Sequence, residues 1–354
     1  MTAGPAPDIR RIEVIAPNLK RRLSGVTATI ARLVPVQATM IGIAATGPGL
    51  PAHLPHLALW RLVLLPRDRL RVWHARRNTE MALGLILRGL MRRRLALLFT
   101  SASQRRHSGY TRWLIGRMDG LVATSARGAR YLEREAVVVL HGIDTKGFSP
   151  PADRAALRRR LGLPEGAVIL GCFGRIRAQK GTDTFVEAAM ATLVGRPGVT
   201  AIVMGRATAG HEGFLAGLKE RVAAAGMAGR IRFLPEVPVD AVADWYRALD
   251  LYVAPQRWEG FGLTPIEAMA CGLPVVATRV GAFEEIVTDA TGSLVPPGDA
   301  AALAAALVPW LDDAGLRQRA GQAALARVRT GFRIEDEAGA LVALYRRLLS
   351  GERW

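Results

Sequence analysis

The hydrophobic positions of this chain fall into short unbroken runs separated by longer segments of helical period. In the first half the runs are Arg11–Ala16, Leu70–His74, Leu95–Thr100, Gly120–Thr124 and Val137–Leu140. In the second half they are Val168–Phe173, Thr200–Met204, Ile231–Phe233, Leu251–Ala254 and Pro274–Ala277. Each is bounded by Gly, Pro or charge. A strand with one wet face alternates apolar and polar residues, whereas a strand apolar throughout is covered on both faces. The repeated order of run, loop and helix-period segment therefore predicts an α/β fold with parallel sheets and crossover helices.

With 354 residues the chain is long enough for two cores of ordinary size. The prolines of Phe148–Pro164 interrupt the pattern around one short basic helix, Ala155–Leu161. That break predicts a first domain over 1–160 and a second over 161–333, with 334–354 forming a closing helix, Ile334–Leu349. No fixed short repeat is present.

Composition narrows the setting. The two cysteines, Cys172 and Cys271, lie in apolar surroundings, so no disulfide framework is implied and a reducing compartment is the default. Met1–Asp8 lacks the basic-then-apolar order of a secretory signal. No run reaches the roughly 18 apolar residues of a spanning helix, and Leu83–Phe99 is broken by Arg88, Arg92, Arg93 and Arg94. A cytoplasmic location is expected.

The net charge of +18 is uneven. Residues 1–150 hold 24 basic and 8 acidic side chains, residues 151–354 hold 24 and 22. A basic half meets polyanions or an anionic membrane surface, or is simply a solvated Arg-rich surface. Trp60–Arg67 and Leu83–Arg94 mix apolar and basic residues as interfacial helices do; the alternative for Leu83–Leu90 is a core helix.

Two motifs carry candidate chemistry. Phe173–Gly181 (FGRIRAQKG) leaves the carboxyl end of a predicted strand, where ligands of open α/β sheets bind. Its Arg175 offers a planar fork and Lys180 a compact charge, a pair suited to a diphosphate. Neither a Walker A loop nor a G-x-G-x-x-G fingerprint is present there. The second motif, Trp258–Pro274 (WEGFGLTPIEAMACGLP), follows the run Leu251–Ala254. Gly260 and Gly262 allow close backbone approach to a ligand, and Pro265 suits the first turn of a helix whose amino end would face an anion. Glu259 and Glu267, eight residues apart, can accept hydrogen bonds from paired sugar hydroxyls. Taken singly, each has a plainer reading as a helix-start or loop charge.

Read together, G-R-x-x-x-x-K-G and E-G-F-G-L-x-x-x-E-A-M-A-x-G-x-P-V-V-A resemble the donor half of family-4 retaining glycosyltransferases of the GT-B fold. The likeness runs over nearly all of 137–349, including Val280–Val287 and Gly292–Asp299. It implies two Rossmann-like domains facing across a cleft: an acceptor domain at 1–160, a donor domain at 161–333, and a last helix crossing back to the first. It further implies that Arg175 and Lys180 neutralise the donor diphosphate. Glu259, with the backbone N–H groups of Gly260, Phe261 and Gly262 and the adjoining Leu263, would hold the sugar. Glu267 would bind the ribose, and Phe233–Val237 the nucleobase.

In the first half, Asn18–Thr27, Gly47–Pro51, Phe99–Ala102, Gln104–Ser108 and His141–Asp144 resemble bacterial lipopolysaccharide core mannosyltransferases. That likeness implies GDP-mannose as donor and a Kdo-containing lipid A core as acceptor. Family members carry paired glycines where Ser24 and Gly25 stand here, leaving Gly25 as the position for a donor contact. A cleft histidine positions the donor sugar in the family; His74 or Arg76 would stand there, unless His74 serves the core.

No covalent nucleophile identifies itself and no D-x-D occurs, so the resemblance implies front-face departure with retention and neither metal nor other cofactor. The expected partners are a nucleotide sugar, an anionic glycolipid and the inner-leaflet membrane surface. Nucleic acid is not expected, since no stacking platform or recognised module accompanies the arginines. Alternatives are a transferase of UDP-glucose, UDP-galactose or UDP-GlcNAc acting on another envelope glycan, and a non-catalytic relative that binds sugar nucleotides or polyanions. An epimerase or phosphorylase of the same fold would need other cleft carboxylates or a cofactor lysine.

Overall fold

The computed structural model describes residues 8–21 and 25–354. The chain divides into two compact units, Met1–Gly142 with Ile334–Trp354 (unit 1) and Ile143–Arg333 (unit 2). Each is built on one sheet in which every pairing is parallel.

Unit 1 contains β1 (Val14–Pro17), β2 (Ile43–Thr46), β3 (His56–Leu57), β4 (Arg71–Ala75), β5 (Leu95–Ser101), β6 (Gly120–Ala123) and β7 (Val137–Val138), in the order β3-β2-β1-β4-β5-β6-β7. One face is covered by helices Gly25–Gln37 and Ile334–Leu349. The last helix buries Ile334, Ala338, Leu341, Tyr345 and Leu348, a stripe at three- and four-residue spacing. The other face is covered by a 3₁₀ turn, Leu59–Leu64, and helices Asn78–Gly89 and Gly109–Ile115. The helix over Leu83–Leu90 packs one side into the core, in line with the core-helix reading. Leu87 is buried against the sheet, while Ile86 and Leu90 stay exposed.

Unit 2 contains β8 (Val168–Phe173), β9 (Val199–Met204), β10 (Ile231–Leu234), β11 (Leu251–Ala254), β12 (Val275–Thr278) and β13 (Gly292–Val295), ordered β10-β9-β8-β11-β12-β13. Helices Thr182–Leu193, Glu212–Ala224 and Ala300–Asp312 bury Phe185, Leu218 and Leu303 in its core.

The first boundary falls at Gly142–Ile143, not at 160–161. The basic helix, Arg154–Arg160, is no linker. Buried Arg158 donates to Ala248 O at 2.9 Å and to Asp250 Oδ2 at 2.6 Å, tying the helix to unit 2. Among the described residues no helix is long and apolar enough to cross a membrane.

Candidate functional site

In unit 2 the strand order turns at β8, which has β9 on one side and β11 on the other. Loops leaving such neighbouring strands diverge and leave a crevice at their carboxyl ends, the usual ligand position in open α/β sheets. The loops here are the two motifs: Gly174–Gly181 follows β8, and Pro255–Leu263 follows β11.

Arg257 clamps them together. Its N–H donates to Gln179 O at 3.0 Å and its Nη1 to Ala178 O at 2.6 Å. The same guanidinium makes a bidentate pair with Asp183 at 2.6 and 2.9 Å. Gly181 permits the approach: at φ +69° a Cβ would lie 1.8 Å from Pro255 O, so only glycine fits. Lys180 consequently reaches the other loop, and its Nζ donates to Glu259 Oε2. Glu259 Oε1 accepts the Gly260 N–H at 3.0 Å. Both partners of this ion pair are about one-fifth exposed, Lys180 19% and Glu259 18%.

Arg177 is the third cation. Burial, then repulsion from Arg175, lowers its pKa, opposed by Glu259. Its Nε is buried and makes no hydrogen bond among the described residues. Arg175 itself is exposed at the loop surface. The β8 loop therefore supplies three positive groups beside one carboxylate.

Beyond Glu259, Gly260 and Phe261 are buried, while Gly262 and Leu263 are half-buried. Gly262 has φ +89°, and a Cβ there would lie 2.3 Å from the Phe283 ring. Helix Thr264–Ala270 begins one residue before Pro265. Glu267 lies in its first turn, and Glu267 Oε2 accepts the Tyr246 hydroxyl at 2.8 Å. Tyr246 is buried against Phe173 and Tyr252, with ring centroids 4.9 and 5.2 Å away. Burial first, and the Glu267 charge second, push its phenol well above the ordinary 10, so it stays a proton donor.

Three cations on the β8 loop, with one carboxylate on the facing loop and another on the helix behind it, suit a charged donor. Residues 153–327 match the family described as Glycosyl transferases group 1. The lipopolysaccharide core biosynthesis mannosyltransferase LpsB of Rhizobium meliloti (strain 1021) is 53% identical over 97% of this chain and 99% of its own. The chain belongs to the group 1 glycosyltransferases. LpcC of Rhizobium leguminosarum bv. viciae, of the same printed description, is 52% identical over 98% of this chain and 99% of its own. Anabaena Alr3699/HepE in complex with UDP has a TM-score of 0.83 at 20% identity, covering 95% of this chain and 100% of that one. That likeness is one of fold, the GT-B pair of parallel-sheet α/β domains.

In this glycosyltransferase Gly25, His74 and Arg76 belong to unit 1. His74 is buried in the core of unit 1, with an exposure of 0%. Its Nδ1 lies 2.7 Å from Tyr345 Oη and its Nε2 2.6 Å from Thr100 Oγ1, so both ring nitrogens are occupied. Burial, reinforced by Arg76, holds its pKa well below 6.5. Arg76 is half-buried and turns back to His74 O at 3.3 Å. Gly25 is exposed and opens helix Gly25–Gln37. Of the preceding motif, Arg22, Leu23 and Ser24 lie outside the described residues.

Three residues of the site were not singled out from sequence. Arg177 lies inside the first motif and could have been named with Arg175. Arg257 and Tyr246 gave no signal, because their partners lie 74 and 21 residues away.

Proposed function

We propose that the protein transfers mannose from GDP-mannose to the Kdo-containing inner core of lipopolysaccharide, with retention at the anomeric carbon, at the cytoplasmic face of the inner membrane. The observation that carries the transferase chemistry is the convergence of Lys180 and Arg177 on Glu259 between the two motif loops. The mannose and the acceptor rest on the two relatives named as core mannosyltransferases.

In this reading Arg175, Arg177 and Lys180 receive the diphosphate. Half-buried, fixed cations such as Lys180 and Arg177 stabilise charge that grows on the departing phosphate without having to reorganise. Glu259 is held by Lys180 and by Gly260 N–H, which leaves its remaining lone pairs for sugar hydroxyls. Glu267, aimed by Tyr246, accepts from the ribose hydroxyls. The bond from the anomeric carbon to phosphate breaks, the acceptor oxygen bonds on the same face, and its proton passes to the leaving phosphate. The diphosphate charge is met by side chains of the chain itself, so no metal bridge is required.

A donor panel tests the reading. Purified protein offered GDP- and UDP-sugars with Kdo-lipid A is expected to release GDP from GDP-mannose and to add one hexose to the acceptor mass. Activity should persist in excess chelator; strict dependence on added divalent ion would sink the metal-free step. Release of UDP instead would move the protein to the UDP-hexose alternative. Tyr246→Phe is expected to raise the donor KM about fivefold with kcat little changed, since it removes one hydrogen bond to a carboxylate that holds the nucleotide. The same substitution acting on kcat alone would take Glu267 off the ribose.

A further inference from the structure

We propose that the indole of Trp258 is a stacking platform for a pyranose ring of the acceptor, set beside the donor hexose. Among the described residues of unit 2 three large hydrophobic side chains stand exposed, and Trp258, at 38%, is the one aromatic ring among them. Elsewhere Trp73, Trp310 and Trp354 donate their indole N–H to Glu80 O, Ser293 Oγ and Leu121 O, and Trp113 stacks on Tyr110. The Trp258 indole makes no hydrogen bond and no ring contact among the described residues. It therefore offers an open apolar face and a free N–H donor.

The loop beneath the indole is held on both sides. Arg257, just before it, is fixed to the β8 loop and to Asp183, and Glu259, just after it, to Lys180. From behind, the Ala282 N–H donates to Phe261 O at 3.2 Å. Gly281 allows that approach: at φ +63° a Cβ there would lie 2.8 Å from the same carbonyl. The platform is thus set before a ligand arrives, which lowers the cost of ordering the complex.

Chemistry and position select the occupant. A pyranose carries hydroxyls on its rim and C–H groups on its face, so it meets both features of an open indole. The inference rests on the proposed transfer reaction, in which Glu259 holds the donor hexose and the diphosphate lies among the cations. In that reading the nucleobase lies against Phe233–Val237, after β10, which is three strands from β11 in the sheet. The ring that reaches Trp258 is therefore a sugar. Glu259 is half-buried and Trp258 exposed, so the indole stands on the solvent side of the carboxylate. A ring stacked there lies outside the donor hexose, where the second substrate must enter with one hydroxyl turned toward the anomeric carbon. Trp258 orients that substrate and takes no part in bond making.

Steady-state kinetics with varied Kdo-lipid A at saturating GDP-mannose, and the converse, test the assignment. Trp258→Ala is expected to raise the acceptor KM about tenfold and the donor KM less than about twofold. Trp258→Phe keeps an aromatic face and should recover most of the loss. Kdo-lipid A should also change the tryptophan fluorescence of the parent but not of Trp258→Phe. Unchanged melting temperatures establish that both variants fold. In a parent that transfers mannose, an unaltered acceptor KM in Trp258→Ala overturns the proposal and leaves the transfer reaction standing. A rise of the same size in the donor KM also overturns it, by giving the indole to the donor hexose. A parent that transfers nothing sinks the transfer reading, and fluorescence then decides: without a Trp258-dependent change on adding Kdo-lipid A, the platform is overturned as well.

Discussion

Lys180→Ala is expected to slow sugar transfer by about 10²- to 10³-fold, the usual loss when one preorganised charge facing a developing anion is removed. Lys180 reaches across from the β8 loop to Glu259, and in the proposed reaction the incoming diphosphate takes over that ammonium. Its loss removes a cation from the leaving phosphate and also releases the carboxylate that orients the sugar. Both effects are larger in the transition state than in the bound donor, so kcat should fall more than KM rises. The fold should persist, because Lys180 and Glu259 stand on partly exposed loops outside the unit 2 core. Lys180→Arg restores the charge but brings a planar fork in place of a compact ammonium, and should recover only part of the rate. Steady-state kinetics with varied donor, beside thermal melts, reads the result. A KM that rises while kcat stays put would mean that Lys180 holds the donor without assisting its departure.

Both residues of that ion pair, though not their pairing, were accessible to sequence reasoning because they sit in glycine-marked loops behind apolar runs. Strand runs such as Val168–Phe173 and Leu95–Ser101 declare themselves by length and branching. By contrast Ile43–Thr46 is half alanine, a residue that favours helix, and Gly292–Val295 begins on glycine, so β2 and β13 left no comparable trace. The boundary was misplaced for a physical reason. Prolines at 150 and 151 look like a linker, yet Arg158 fastens the following helix to Asp250, 92 residues onward. His74 was ambiguous because a strand end does not tell which face its side chain takes. The structure turns it inward to Tyr345, 271 residues away on the last helix. Sequence spacing conveys chemistry carried by one loop; it conveys little of the distant partner that holds the loop in place.

The largest stability effect is expected at Glu337, which lies on that last helix and is 4% exposed. Its Oε1 lies 2.6 Å from His141 Nδ1, and its Oε2 accepts the Gly142 N–H at 2.8 Å. These contacts pin the end of the unit 1 chain to the helix that rejoins it. Burial pushes the Glu337 carboxyl up, but His141, the Gly142 N–H and Arg32 together outweigh it and hold the pKa below 4.5. A carboxyl depressed in the folded state contributes stability that is present above its unfolded value and is lost as pH falls through the folded one. Glu337→Ala should therefore cost about 2–4 kcal/mol near neutral pH, about 1–2 kcal/mol for each of the two buried donors, at His141 and Gly142, left without an acceptor. The gap in melting temperature between parent and variant should narrow below about pH 4.5, where the parent protonates. Glu337→Gln keeps the shape and loses the charge; it should cost less near neutral pH and show the same flattened pH response. A gap that stayed constant down to acid would assign the effect to packing of the helix, and the carboxylate would lose its part in joining the two segments of unit 1.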